Sequence, residues 1–281
     1  MVNEKLSYFV NVRLRQLPFF YKRYRSNTIQ RKEIRIIGII RERNEELLLK
    51  DTLDHLSGIV DAIVVFDDAS TDHSVEIARS HPAVVEVVCN RRWRKKNRAW
   101  EETANRKKLH DVALSYDPEW IFYSDADERF EGDIRGYLLS ECPSEVRGVR
   151  VSLFDAYMTK SDKQPYKQGV KLYDFRQFFG IERRDILMAW RNIKGVDFRV
   201  MDAREPQGIP EKAKVVKFYC QHYGKALSEE QWEETCRYYM EFFPKYSEKW
   251  KKRQGKAIHD KSDFNTPLKR WDEVKQKSVR I

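Results

Sequence analysis

Four short apolar runs, separated by amphipathic stretches, constrain this chain most. They are Ile34-Arg35-Ile36-Ile37-Gly38-Ile39-Ile40, Ala62 to Phe66, Val84 to Val88 and Trp120 to Tyr123. Each is the length of a buried strand and too short for a core helix. The intervening segments carry helical spacing. Asn44 can cap a helix that buries Leu49, Leu53 and Leu56, another helix begins near Asp72, and a third presents Leu109, Val112, Ala113 and Tyr116 on one face. Strand alternating with helix predicts an α/β fold, a mostly parallel sheet flanked by helices. Ligands of such sheets bind beyond the C-terminal strand ends.

Those strand ends are acidic. The second run leads into Asp67-Asp68-Ala69-Ser70-Thr71-Asp72 and the fourth into Ser124-Asp125-Ala126-Asp127-Glu128. If strand geometry continues, Asp125 and Asp127 point the same way, and two like charges held so close call for a cation. Hard carboxylate oxygens suit Mg²⁺ or Mn²⁺. Either cluster alone reads equally well as a polar loop closing a strand. Two clusters at equivalent ends of one sheet favour a site.

No Gly-x-Gly-x-x-Gly follows the first strand and no Gly-x-x-x-x-Gly-Lys-Ser/Thr occurs, which argues against a dinucleotide site and a P-loop. Phosphates would then be held by metal and by cationic side chains. Arg91-Arg92-Trp93-Arg94-Lys95-Lys96-Asn97-Arg98 and Arg106-Lys107-Lys108 can supply the latter, although a charge run is more often a solvated face. Cys89, Cys142, Cys220 and Cys236 form no Cys-x-x-Cys pair, which speaks against zinc or a disulfide framework and suits a reducing compartment. The net charge of +10 is concentrated in residues 1–33, 91–108 and 245–281 over an otherwise acidic body. That pattern points to localised anionic partners.

The expected organisation is a basic amphipathic arm over 1–33, a catalytic domain over 34–225 and a basic helical C-terminal extension over 226–281. In the arm, Leu6, Phe9, Val10, Leu14 and Leu17 fit one helix face ending before Pro18, and the following Phe19 to Arg25 mixes basic and aromatic residues. A helix packed on the domain is the favoured reading, an anionic membrane contact the alternative. Val149 to Phe154 reads as a strand. Ser228-Glu229-Glu230-Gln231 is a capping box, opening a helix with Trp232, Cys236, Tyr239 and Phe243 on one face before Pro244.

Arg43-Asn44-Glu45, Asp67 to Asp72 and Asp125-Ala126-Asp127-Glu128, in this order and spacing, resemble family 2 glycosyltransferases of the GT-A fold. The similarity is clear over about 34–130 and continues to about 224. It implies a nucleotide-sugar donor. Asp68, with Asp67 beside it, matches the residue that contacts the donor base. Asp125 and Asp127 match the Asp-x-Asp motif that binds the ribose and a metal, Mn²⁺ or Mg²⁺, on the diphosphate. Arg43 and Arg106 would contact the donor. His222, in Phe218-Tyr219-Cys220-Gln221-His222-Tyr223-Gly224, is the candidate for a further metal ligand.

Glycosyl transfer requires a diphosphate leaving group that a divalent ion stabilises, and an inverting displacement requires a carboxylate base. Asp155 is the candidate base, with Glu182 and Asp185 as rivals. The acidic pair that often marks the base in this family is not visible. The aromatic residues between Asp155 and Gly208 suit an acceptor sugar and a core equally. The resemblance implies an inverting hexosyl transfer to a glycan or glycolipid, as in cell-surface polysaccharide or lipopolysaccharide synthesis, by a cytoplasmic enzyme peripheral on the inner membrane face. A nucleotidyltransferase with the same acidic rim is an alternative. A non-catalytic nucleic-acid-binding module would leave the acids unused, so nucleic acid is the disfavoured partner, although a glycosyltransferase acting on nucleic acid would use both.

Overall fold

The computed structural model describes residues 14–26 and 33–281. The expected N-terminal helix and most of its apolar face lie outside the described residues. What is described forms two compact units. The first comprises the chain through Ala126, Asp133–Val149 and Met188–Val215; the second comprises Asp127–Gly132, Arg150–Leu187 and Val216–Ile281.

In the first unit the strands are β1 (Tyr21–Arg25), β2 (Ile36–Glu42), β3 (Ala62–Asp67), β4 (Val84–Asn90) and β5 (Trp120–Ser124). They lie in the order β1-β4-β3-β2-β5. β2 runs parallel to β3 and β5, and β3 parallel to β4, as the alternation predicts. Antiparallel strands close both sides: β1 pairs with β4, and the last residues of β8 (Phe178–Arg191) pair with β5. Residues 36–40 of the first run and the whole of the other three are buried, so the runs are largely hydrophobic without alternation, with Glu86 a buried exception.

Helix α1 (Leu49–Ser57) buries Leu49, Leu53 and Leu56, and α2 (Ser74–Ser80) follows the acidic loop after β3. Helix α3 (Arg98–Leu114) buries Leu109, Val112 and Ala113; Tyr116 falls in the turn beyond it and donates to Glu86. Two expectations need correction. Asn44 does not cap α1, because its backbone is left-handed (φ 55°) and its side chain accepts from the Thr71 amide instead. The loop after β2 is tied to the loop after β3 by the amides of Asn44, Glu45 and Glu46, which donate to Ser70 Oγ, Ser74 Oγ and Asp72 Oδ2. Phe19 to Arg25 is not a detached basic-aromatic patch either. Its second half is strand β1, with Tyr21 buried and Arg23 and Arg25 both on Glu86.

In the second unit β6 (Glu128–Glu131) pairs antiparallel with β9 (Lys214–His222), setting Glu128 opposite His222. The order there is β8, β7 (Gly148–Tyr157), β9, β6. Strands β7, β8 and β9 have residues in both units. The Ser228 half of the capping box forms: its hydroxyl accepts from the Gln231 amide and opens α4 (Glu229–Phe242), which buries Trp232 and Cys236. The basic C-terminal segment is built into this unit. Trp250 of α5 (Ser247–Lys251) and Val274 of α6 (Trp271–Lys277) are buried, and β10 (Val279–Arg280) pairs with β8. The final segment thus has apolar anchors spaced too widely to show a period.

Candidate active site

The first unit brings the acids after β3 together with the basic start of α3. Asp68 is 1% exposed. One oxygen accepts from Asn90 Nδ2 at 2.6 Å and the other from the Arg98 guanidinium. Burial alone would raise its pKa, but Arg98 and Arg41 outweigh that and hold it below the usual carboxylate range. Asp67 accepts from the Ser70 amide at 3.1 Å and closes the loop. Glu42 lies buried beside it, and burial with the neighbouring Asp67 charge pushes Glu42 well above the usual range. Arg43 reaches over the Trp93 ring (4.3 Å to the centroid) and donates to the Asp68 carbonyl at 2.7 Å. Arg106 packs beside Tyr123, and Tyr123 OH donates to Asp125 Oδ1 at 3.1 Å. Arg204 pairs with Asp125 Oδ2 at 3.4 Å. Sequence reasoning placed Arg98 only within a charge run and missed Arg204, which no local pattern marks.

β5 stops at Ser124, and Asp125 to Asp127 form a turn. The inference that both carboxylates share one strand face is therefore corrected. The chain passes from the first unit to the second at this motif, after Ala126.

In the second unit Asp127, His222 and Asp155 form a continuous chain. His222 Nε2 lies 3.3 Å from Asp127 Oδ2 and Nδ1 lies 2.6 Å from Asp155 Oδ1. Strand pairing supplies the first contact, since His222 sits opposite Glu128, next to Asp127. Asp155, on β7, also binds Arg184 and Lys225, whose ammonium lies 2.6 Å away. Burial would raise the Asp155 pKa, but Lys225, Arg184 and His222 together hold it well below the usual range. Burial lowers and the two flanking carboxylates raise the His222 pKa, to about 9. Gly224 leaves space at this point: a Cβ there would meet Asp127 Oδ2 at 2.6 Å and His222 Nε2 at 3.1 Å.

These residues fit a divalent ion. Donors about 2.1 Å from one ion at right angles are about 3 Å apart, close to the Asp127–His222 separation. Asp155 on Nδ1 fixes the tautomer that leaves Nε2 as the ligand, the usual arrangement behind a metal-bound imidazole. The rival base candidates are engaged elsewhere. Glu182 accepts from Ser262 and Thr266, and Asp185 is buried with Ser152 and Arg183.

A second group, His110, Asp111 and Asp197 in the first unit, has ligand atoms within 4.8 Å of one another. Lys107 Nζ already lies 3.1 Å from both Asp111 and Asp197 and serves as their cation. Trp190 Nε1 donates to His110 Nε2 at 3.3 Å, so Nδ1 carries the proton and lacks a lone pair for a metal.

No family model matches the chain. Two uncharacterized mycobacterial proteins, Rv3786c of Mycobacterium tuberculosis and Mb3815c of Mycobacterium bovis, are each 38% identical over 103 residues, covering 36% of this chain. The chain spans a quarter (25%) of the length of those relatives. Among solved structures, mannosyltransferase PcManGT from Pyrobaculum calidifontis, in complex with GDP-Man and Mn²⁺, is 17% identical with a TM-score of 0.37, covering 87% of this chain and 72% of that one. S. aureus TarS is 16% identical at a TM-score of 0.41, covering 73% and 39%. Glucosyl-3-phosphoglycerate synthase from Mycobacterium tuberculosis is 19% identical at 0.30, covering 43% and 44%. At these scores the likenesses carry no argument about activity. The parallel α/β sheet and the side-chain geometry carry the functional reading.

Proposed function

We propose that this chain is a metal-dependent glycosyltransferase, moving a sugar from a nucleotide-sugar donor to an acceptor hydroxyl. The observation that carries the proposal is the Asp127–His222–Asp155 chain, with Asp127 and His222 at ligand spacing and Gly224 leaving room beside them. Asp127 and His222 hold Mn²⁺ or Mg²⁺. The ion would neutralise charge developing on the departing diphosphate. Asp125, two residues earlier in the chain, keeps the ribose and metal role that its motif implies, with Tyr123 and Arg204 fixing its carboxylate.

Asp68 and Asp67 support the donor end of this reading by shaping it. Their oxygens are engaged by Asn90, Arg98 and Ser70, so contact with the base falls to atoms these acids position, or follows exchange of an Arg98 contact. Arg43, on the Asp68 carbonyl, and Arg106, beside Tyr123, are assigned to the donor. Asp155 acts through His222. A carboxylate held so far below neutral pH is a weak proton acceptor, whereas it is well suited to orienting an imidazole. An inverting hexosyl transfer and a glycan or glycolipid acceptor remain part of the proposal on the family resemblance. So does work at the cytoplasmic face of an anionic membrane. No helix among the described residues is long and apolar enough to cross a membrane.

The test is product analysis with a panel of nucleotide sugars and Mn²⁺. Release of a nucleoside diphosphate with transfer or hydrolysis of the sugar supports the proposal. Asp127→Ala should lose at least 10–100-fold, the range for lesser changes around metal sites, while staying folded. Pyrophosphate release from a nucleoside triphosphate would establish the nucleotidyltransferase alternative instead.

A further inference from the structure

The first unit contains a cavity of about 310 Å³ lined by Arg15, Phe19, Phe20, Arg91, Arg92 and Arg94. It forms where the Pro18–Phe20 turn enters β1 and the chain leaves β4. Tyr21 pairs with Asn90 there, and the Arg91 amide donates to the Phe20 carbonyl at 3.1 Å. Four of the six lining residues are arginines, and their charges are unequally met. Arg15 is 5% exposed, pairs with Glu101 at 2.9 Å and packs over Phe20 at 4.7 Å from the ring centroid. Arg94 also approaches Phe20, at 5.0 Å. Arg91, Arg92 and Arg94 have no carboxylate partner among the described residues.

Exposed guanidiniums gathered beside aromatic rings, with no carboxylate among the described residues to offset them, repel one another. An anion in that space removes the penalty. Phosphate suits it best, because the guanidinium fork matches phosphate oxygens in pairs. Phe19, 64% exposed, adds a flat apolar face for the rest of such a molecule. We propose that this cavity binds the phosphate of an organic phosphate ligand. None of Asp67, Asp68, Asp125, Asp127 or His222 lines the cavity. It borders the donor-end acids, since Arg15 donates to Asn90 Oδ1 at 3.0 Å and Asn90 donates to Asp68. The proposal rests on the lining residues and is tested without metal. The phosphate could belong to a nucleotide, to a phosphorylated small molecule or to a lipid headgroup, which share this chemistry.

The test uses the full chain in EDTA, titrated calorimetrically with inorganic pyrophosphate, so that binding through a metal does not contribute. Wild type should bind at one site, with affinity falling as salt rises. The Arg91→Ala/Arg94→Ala double variant, whose side chains are exposed and whose fold is checked by its unfolding curve, should bind at least about tenfold more weakly. Asp127→Ala should bind as wild type does. Competition with UDP or GDP, with glycerol 3-phosphate and with phosphatidylglycerol vesicles identifies the source of the phosphate. Absence of binding to wild type, or equal binding to the double variant, overturns the proposal. Failure of all three competitors to displace pyrophosphate overturns the organic-ligand claim and leaves an inorganic anion site.

Discussion

At the scale of single residues, environment decides what each acid can do. Asp68 and Asp155 are both carboxylates at expected positions, yet each is clamped by cations. Removing one partner of a buried ion pair leaves the other charge uncompensated, which typically costs about 3–5 kcal/mol. Asp68→Ala should therefore destabilise the protein by up to about that amount, measured by urea unfolding, because Arg98 is 2% exposed, loses its nearer counter-charge and keeps Glu102, at 3.8 Å. Gly224→Ala should act differently. Its added Cβ would displace Asp127 or His222, so Mn²⁺ affinity should fall by tenfold or more with little change in unfolding midpoint. Unchanged Mn²⁺ affinity in that variant would count against the proposed ligands. The identities of these acids were legible in sequence because clustered charge at the end of an apolar run is conspicuous. Their partners Asn90, Arg204 and Lys225 were not, because long-range pairing leaves no local pattern.

At the scale of elements, the parallel strands and their helices were readable from apolar runs and helical spacing. The antiparallel strands were harder. β1 is basic because it lies at an edge, where charge discourages pairing with other chains. β8 mixes buried and half-buried positions along its 14 residues without a period of two, and so resembles a mixed surface segment. The edge has a pH signature. Burial would raise the Glu86 pKa, but Arg23 and Tyr116 outweigh it and hold it below its ordinary value. A carboxylate depressed in the fold stabilises above its unfolded pKa, about 4.3, and that stabilisation is lost as pH falls through the folded value. Melting temperature should thus drop below about pH 4.3, with a shallower drop in Glu86→Gln; equal slopes would refute the assignment. At the start of α4, Ser228→Ala should cost about 1 kcal/mol through loss of the Gln231 amide's acceptor, read by denaturant midpoint.

At the scale of the molecule, one short motif marks both the proposed functional centre and the passage of the chain between units. Asp125 follows the first unit's last parallel strand, and Asp127 precedes β6, whose antiparallel partner β9 presents His222. The linear motif was visible in sequence. The identity of the histidine that completes it depended on family resemblance, because nearly a hundred residues separate the two before β9 returns beside β6. The basic charge that first pointed to anionic partners is resolved in part by the fold. Arg98, Arg176 and Lys225 are internal counter-ions, whereas Arg91, Arg92 and Arg94 line the cavity proposed to take a phosphate.

The most direct test of the central claim is a thermal-shift panel of nucleoside diphosphates and nucleotide sugars, with and without Mn²⁺. A ligand at 100 times its dissociation constant adds about 2.7 kcal/mol of stability. The account predicts stabilisation by one nucleotide class, dependent on Mn²⁺ and lost in both Asp127→Ala and His222→Ala. No shift with any nucleotide at saturation in the presence of Mn²⁺ would contradict it.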